Sequence, residues 1–384
     1  MQFEFTTASR IIFGPGRIST IPALIEEFGT RILVFNGAPP DISNRLVKLL
    51  ADQQMETMIL AVKGEPTVAS IQELVEMARQ FFPDGLIAIG GGSTLDTAKA
   101  VSALLTNPGD VSDYLEVIGL NLPLKLPSIP LVAIPTTAGT GTEVTRNAVI
   151  GSSTHRVKVS LRSQYLLPRI ALIDPELTLS LPPFITASTG LDALTQLIEP
   201  YTSNSPNPLT DAVCVEGIRR IAHAIKRAFE HGEDLEARQD MSLATLMSGI
   251  ALANSRLGAV HGFAGPIGGE IAAPHGAVCA SLLAEVMSAN MQALLERDSQ
   301  NPVLERYTRI ARLLTGNPAA FADDGIAWVR DFCDYAGVQP LSKLGLSLEL
   351  FPLIIEKAQK SSSMKGNPVL LTVNELRSIL ETSM

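Results

Sequence analysis

Between residues 31 and 105 the chain alternates short runs of large and β-branched apolar residues with longer stretches of helical period, and nothing else in the sequence constrains the fold as much. Arg31-Ile32-Leu33-Val34-Phe35 reads as a buried strand closed by Asn36-Gly37, and 43–53 as the amphipathic helix after it, with Leu46, Val47, Leu49 and Leu50 inward. Residues 56–62 form the next strand, 67–82 the next helix, 85–89 a third strand and 93–105 a third helix. Strands separated by helices of this length must run parallel, because the chain crosses back before each new strand, so the sheet is covered on both faces. Two further strands are expected at 129–134 and 170–173. From Pro183 onward the period is helical almost throughout, with turns at 203–208, 231–233 and 316–318, and the polar stretch 360–368 reads as a loop before a last helix. The expected architecture is an α/β N-terminal domain with a parallel sheet at 1–180, followed by an all-α C-terminal domain at 181–384.

A chain of 384 residues is long enough to bury a large core without cross-links. With 30 Lys and Arg against 39 Asp and Glu, the net charge of −9 has the wrong sign for wrapping nucleic acid, and no basic run stands apart. No uninterrupted apolar stretch reaches the roughly 18 residues of a membrane span, and the opening MQFEFTTASR lacks the pattern of a secretory signal. Cys214, Cys279 and Cys333 are scattered, which fits free thiols packed in a core and a reducing, cytoplasmic setting. The expected partner is a small-molecule substrate, with neither nucleic acid nor membrane.

Chemistry is concentrated in a few places. Ile89-Gly90-Gly91-Gly92-Ser93-Thr94-Leu95-Asp96-Thr97-Ala98-Lys99 is a strand running through three glycines into a helix. Glycines admit a bulky anion close to the backbone and the helix start offers free N–H groups, which suits a diphosphate; a tight turn needs the same residues. Pro135-Thr136-Thr137-Ala138-Gly139-Thr140-Gly141-Thr142-Glu143 is a second glycine and hydroxyl loop after another strand, and two such loops at the carboxyl ends of parallel strands point to a nucleotide. In the helical half, Asp192 and Gln196 lie one turn apart on one face, while His261 and Pro274-His275-Gly276 fall in one glycine-rich region. A carboxylate and two imidazoles suit Zn²⁺ or Fe²⁺, though an aspartate near a helix start also serves as a cap, and a histidine among glycines also serves as a hydrogen-bonded core residue.

As a set these residues resemble the iron-containing alcohol dehydrogenases over nearly the whole chain. The likeness runs from Ile12-Phe13-Gly14-Pro15-Gly16 through both loops, Lys158, Leu166-Leu167-Pro168, Asp174-Pro175-Glu176-Leu177-Thr178 and Gly190-x-Asp192-Ala193-Leu194 to His261 and Pro274-His275-Gly276. The resemblance implies the dehydroquinate synthase-like fold with a Rossmann-like cofactor domain, NAD or NADP as cofactor, a divalent metal (Fe²⁺ or Zn²⁺), and a homo-oligomer of two or more chains. It implies that Gly90, Gly91, Gly92, Ser93 and Asp96 embrace the dinucleotide, that Thr136, Thr137 and Thr140 contact it, and that Lys158 lies on its nicotinamide side. Asp192, His261 and His275 fall on metal-ligand positions, and Gln196 on the fourth, where its carbonyl oxygen is the expected ligand. The implied activity is hydride transfer between the nicotinamide and a small alcohol or aldehyde, with Lys158, Asp192, His261 and His275 as the catalytic set.

Two departures mark this chain. Gln196 stands where metal-dependent members carry the fourth ligand, a histidine, and an amide oxygen binds Zn²⁺ or Fe²⁺ more weakly than imidazole. Gly265 stands where a histidine associated with the proton path is usual. A metal-independent reductase of the maleylacetate reductase type is therefore a rival reading, followed by a dehydroquinate synthase-like lyase and by a dinucleotide-binding protein without catalysis. Asn36, after the strand at 31–35, is neutral where NAD-preferring relatives carry an acid, so the ribose contact leaves NAD and NADP both open.

Overall fold

The computed structural model describes residues 2–271 and 273–384. It divides into two compact units, Thr6–Ser180 and, joined by a short N-terminal segment, Leu181–Met384.

In the first unit the order is β1 (Arg10–Phe13), α1 (Ile21–Ile25), β2 (Arg31–Asn36), α2 (Pro40–Ala51), β3 (Glu56–Ala61), α3 (Val68–Phe81), β4 (Gly85–Gly90), α4 (Gly92–Thr106), α5 (Val111–Tyr114), β5 (Leu131–Pro135), β6 (Asn147–Ser152), β7 (Val157–Arg162) and β8 (Ile170–Ile173). Six strands form one sheet in the order β1-β8-β5-β4-β2-β3, with every pair parallel. β4 is buried at every position, as a strand with helices on both faces must be. Alternate residues divide between two cores: Leu33, Phe35, Leu86 and Ala88 join Ile71 and Val75 of α3 and Val101 of α4, while Ile32, Val34, Ile87 and Ile89 join Ile21 and Ile25 of α1 and Ile42, Leu46 and Leu50 of α2. Each such aliphatic side chain removed from water contributes about 1.5–3 kcal/mol, so period two along the strands and period 3.6 along the helices fix the layers together.

The topology has a reversal that matters for function. From β2 the chain steps outward to β3, then returns past β2 to place β4 on its other side and continues to β5. At such a switch point the connections leave in opposite directions and open a crevice beyond the carboxyl ends of the two strands, here β2 and β4. Two details differ from the expectation. α2 begins at Pro40 rather than at 43, because a proline in the first turn lacks only an N–H that has no intrahelical partner. β6 and β7 form an antiparallel hairpin that the expectation lacks; in Val-Lys-Val-Ser-Leu-Arg of β7, Val159 and Leu161 are buried while alternate polar residues disguise the strand.

The second unit is helical, as expected: α6 (Pro183–Thr202), α7 (Pro208–Glu230), α8 (Leu235–Asn254), α9 (Ala259–Ile271), α10 (His275–Arg297), α11 (Val303–Thr315), α12 (Ala322–Ala336), α13 (Phe351–Lys360) and α14 (Val373–Thr382). α6 is the central rod, buried along almost its whole length and packed on α7, α8 and α10. α10 is long and apolar enough to cross a bilayer by length and composition, yet most of it is buried inside the unit, as a core helix would be.

Candidate active site

At the switch point of the α/β unit, β2 ends in Asn36-Gly37 and β4 in Gly90-Gly91-Gly92. The two turns touch: a Cβ on Gly37 would lie 2.0 Å from Thr94 Oγ1, and a Cβ on Gly90, whose φ is +155°, would lie 2.6 Å from the same oxygen and 3.1 Å from Gly37 Cα. Neither position tolerates a side chain. Gly91 precedes α4, whose start has no side-chain cap, so the N–H groups of Gly92 and Ser93 and the positive end of the helix dipole face outward for an anion. The second loop is tied to the first by the Thr136 N–H donating to Gly90 O at 2.9 Å. Thr137 and Thr140 lie against Gly91 and Gly92 respectively. The side chain of Asn36 accepts from Ala38 N at 3.1 Å, so it shapes the turn while standing at the crevice.

Asp96 and Lys158 are engaged differently from each other. Asp96 is buried; its Oδ2 accepts from Val149 N on β6, and its Oδ1 lies 3.6 Å from Lys99 Nζ. Lys99 is fully buried and donates to Thr145 Oγ1 and to Asn147 O, each at 2.8 Å. Glu143 completes this group: burial, only partly offset by Lys99, pushes its carboxyl up to about 7, and burial lowers the Lys99 ammonium to about 8 against the pull of Asp96 and Glu143. Asp96 thus anchors the hairpin beneath the loops. Lys158, on β7, donates to Glu65 Oε1 at 2.8 Å, in the segment between β3 and α3 that receives Gly151 N at Pro66 O. The hairpin is thereby docked on the carboxyl side of the sheet with Lys158 at its seam.

In the helical unit three distant parts of the chain converge. Asp192 sits in the middle of α6 rather than near its start, which removes the capping role; His261 is on α9, and His275 opens α10. His261 Nε2 is 3.4 Å and His275 Nε2 3.8 Å from Asp192 Oδ1. The His261 contact is at most a long hydrogen bond, and both separations are near the spacing of ligands that share one ion: bonds of about 2.1 Å at tetrahedral angles place nitrogen and oxygen ligands ~3.4 Å apart. Asp192 and His261 are buried and His275 is half-buried. The approach of α10 to α6 depends on Gly276, where a Cβ would lie 2.8 Å from Ser188 O.

Three neighbours of this cluster were not assigned to it from sequence. Glu199, two turns beyond Asp192 on α6, accepts from His261 Nδ1 at 2.6 Å and from Val260 N at 2.7 Å, fixing the ring so that Nε2 faces Asp192. Asp192, Gln196 and Glu199 at i, i+4 and i+7 put the carboxylates and the amide of this buried helix along one stripe, and that spacing was the available signal. Ser248 Oγ, which donates to Thr245 O at 2.8 Å, lies 3.3 Å from the Gln196 carbonyl oxygen, while the Gln196 amide nitrogen points at Asp192 Oδ1, 3.5 Å away. Cys279, expected as plain core, has its Sγ 3.6 Å from His275 Nε2 and 4.0 Å from His261 Nε2. The four side chains Asp192, His261, His275 and Cys279 bring their donor atoms within 4.8 Å of one another.

The electrostatics of the cluster favour positive charge. Burial would raise the Asp192 carboxyl, but His275 and His261 outweigh it and hold it below its ordinary value. Burial would lower the His261 imidazole, yet Cys279, Glu199 and Asp192 lift it well above the usual range. His275 is also raised, chiefly by Cys279 and, against burial, by Asp192. Surroundings that favour positive charge on both imidazoles also suit a divalent cation.

Glycine loops at the switch point of a parallel sheet, in one chain with a carboxylate and imidazole cluster in a helical unit, are features of oxidoreductases that bind a dinucleotide and a divalent metal. The pattern of iron-containing alcohol dehydrogenases matches residues 8–175, and that of the C-terminal part of the Fe-containing alcohol dehydrogenase family matches 186–384. The chain is 33% identical to alcohol dehydrogenase 4 of Schizosaccharomyces pombe over 379 residues, which is 97% of this chain and 87% of that protein. It is 30% identical to the NAD-dependent methanol dehydrogenase of Bacillus methanolicus, with 97% of each chain covered. The crystal structure of a 1,3-propanediol oxidoreductase superposes with a TM-score of 0.91 at 30% identity, covering 100% of both chains. The chain belongs to the iron-containing alcohol dehydrogenase family, and it is an NAD(P)-dependent oxidoreductase acting on alcohols.

Proposed function

We propose that the chain interconverts a small primary alcohol and its aldehyde by hydride exchange with the nicotinamide ring, and that Asp192, His261 and His275 hold the divalent metal this requires. The observation that carries the reading is the convergence of those three side chains on one point, with Glu199 fixing the His261 ring. A divalent ion held there supplies Lewis acidity, which lowers the pKa of an alcohol and polarises a carbonyl. The chain's own residues do the rest. Gly90, Gly91, Gly92 and Ser93 receive the diphosphate on the first turn of α4, and Thr136, Thr137 and Thr140 line the second loop. Asp96 holds the hairpin under these loops, and Lys158 contributes positive charge on the same side of the sheet. With Gly265 in place of a histidine, the proton leaves through water rather than through a side chain at that position.

Asn36 presents no carboxylate to the adenosine ribose, so the cofactor reading covers NADP as well as NAD. The metal reading favours Zn²⁺ or Fe²⁺ because imidazole is the majority donor. The same reading makes the protein a cytoplasmic homo-oligomer, which sedimentation of the purified chain tests. The deciding experiment measures NADH and NADPH formation with a panel of short alcohols and diols before and after chelation, with Zn²⁺ or Fe²⁺ restored. Metal-dependent turnover is expected. Full activity in the chelated, metal-free protein would instead establish a metal-independent reductase, and no turnover under any condition would sink the proposal.

A further inference from the structure

We infer that Cys279, through its thiolate sulfur, is a direct ligand of the metal at Asp192, His261 and His275. The inference rests on the metal reading above and adds to it the identity of the fourth ligand.

Geometry carries it. Bonds of about 2.1 Å to nitrogen and about 2.3 Å to sulfur, at tetrahedral angles, put those two ligand atoms ~3.6 Å apart. Cys279 Sγ lies 3.6 Å from His275 Nε2 and 4.0 Å from His261 Nε2, and Asp192 Oδ1 lies 3.4 Å and 3.8 Å from the two imidazole nitrogens. The four donor atoms all lie within 4.8 Å of one another, close enough to share a single ion. His275 and Cys279 are four residues apart on α10, the spacing that lets two side chains on one helical face grip a single ion. Cys279 is fully buried, and its sulfur is turned toward the two imidazoles and the carboxylate.

Gln196 supports the assignment from the other side. Its amide nitrogen lies 3.5 Å from Asp192 Oδ1, and its oxygen lies 3.3 Å from Ser248 Oγ, so the amide presents its nitrogen to the carboxylate. On binding, the thiol gives its proton to solvent and the sulfur lone pair goes to the metal; nothing is oxidised or reduced. A sulfur donor moves the site toward Zn²⁺ and away from hard ions such as Mg²⁺ and Mn²⁺.

The test uses the full-length protein. Zinc-loaded wild-type protein is studied by X-ray absorption, and cobalt-substituted wild type, C279S and C214S by electronic absorption; Cys214, buried on α7, is the control thiol. A sulfur scatterer at about 2.3 Å is expected in wild type. A sulfur-to-cobalt charge-transfer band is expected in wild type and C214S and is lost in C279S. Zinc affinity of C279S, by chelator competition, is expected to fall at least ~10-fold. Wild-type protein that binds one zinc with only nitrogen and oxygen neighbours overturns the inference and leaves the metal reading standing. Protein that binds no zinc or cobalt overturns both. Because the absorption measurement needs no substitution, a poorly folding C279S does not remove the test.

Discussion

Replacing Glu199 by glutamine conserves shape and removes one charge, and the structure fixes what must follow. The carboxylate accepts two buried donors at once, His261 Nδ1 at 2.6 Å and Val260 N at 2.7 Å. A glutamine has one accepting oxygen and one donating nitrogen. If its oxygen takes the His261 proton, its NH₂ confronts the Val260 N–H, leaving a buried donor unpaired at about 1–3 kcal/mol. If it turns the other way, His261 must accept at Nδ1 and carry its proton on Nε2, the atom that faces Asp192. The metal then loses a lone pair. Either outcome weakens the site, and loss of such an outer partner typically costs 10–100-fold in metal affinity, or about 1.4–2.7 kcal/mol.

The assay is competition for zinc against a fluorescent chelator at fixed pH, with wild type and Glu199→Gln side by side. Circular dichroism confirms equal helix content, and NAD(P)H formation is followed as zinc is raised. The expected result is zinc affinity reduced by ~10–100-fold, with turnover partly recovered at saturating metal. Equal affinity in the two proteins would refute the claim that Glu199 sets the tautomer of His261.

Three further outcomes are expected. Glu143, raised from its unfolded 4.5 to about 7 by burial, opposes folding once ionised, so wild type loses stability as pH climbs between those values. Glu143→Gln should therefore leave the free energy of denaturant unfolding nearly unchanged near the lower value and raise it above the upper one, by up to ~3 kcal/mol; a gap independent of pH contradicts this. Gly276→Ala places a methyl 2.8 Å from Ser188 O and should cost about 1–3 kcal/mol in denaturant unfolding and lower bound zinc, whereas unaltered stability would show that α10 can slide. Asn36→Asp keeps the acceptor for Ala38 N but adds a charge at the crevice, so NADP affinity should fall at least ~10-fold relative to NAD; no change in the ratio of dissociation constants would place the ribose elsewhere.

The α/β order, the helical second half and both glycine loops could be read from the chain because each is written in local period: two in β2 and β4, 3.6 in α2 and α3, glycine where strand meets helix. Asp192, His261 and His275 were legible as residue types in known contexts. The β6–β7 hairpin was not, since short strands with polar alternate residues lack a signal that stands out from loop. The roles of Glu199, Gln196 and Cys279 were not legible either. A carboxylate on α6 serves the histidine on α9 only because two helices 62 positions apart in sequence cross there, and a cysteine one turn into α10 reads as core until its sulfur is seen against two imidazoles.

The sequence alone determined the parallel strands and helices of the first half, the helical second half and the glycine turns that open α4, because those follow from neighbours within one or two turns. Tertiary structure decided the convergence of Asp192, His261, His275 and Cys279, and the pairing of His261 Nδ1 with Glu199. These depend on atoms placed within 4.8 Å of one another by packing between α6, α9 and α10, a distance relation no local pattern encodes.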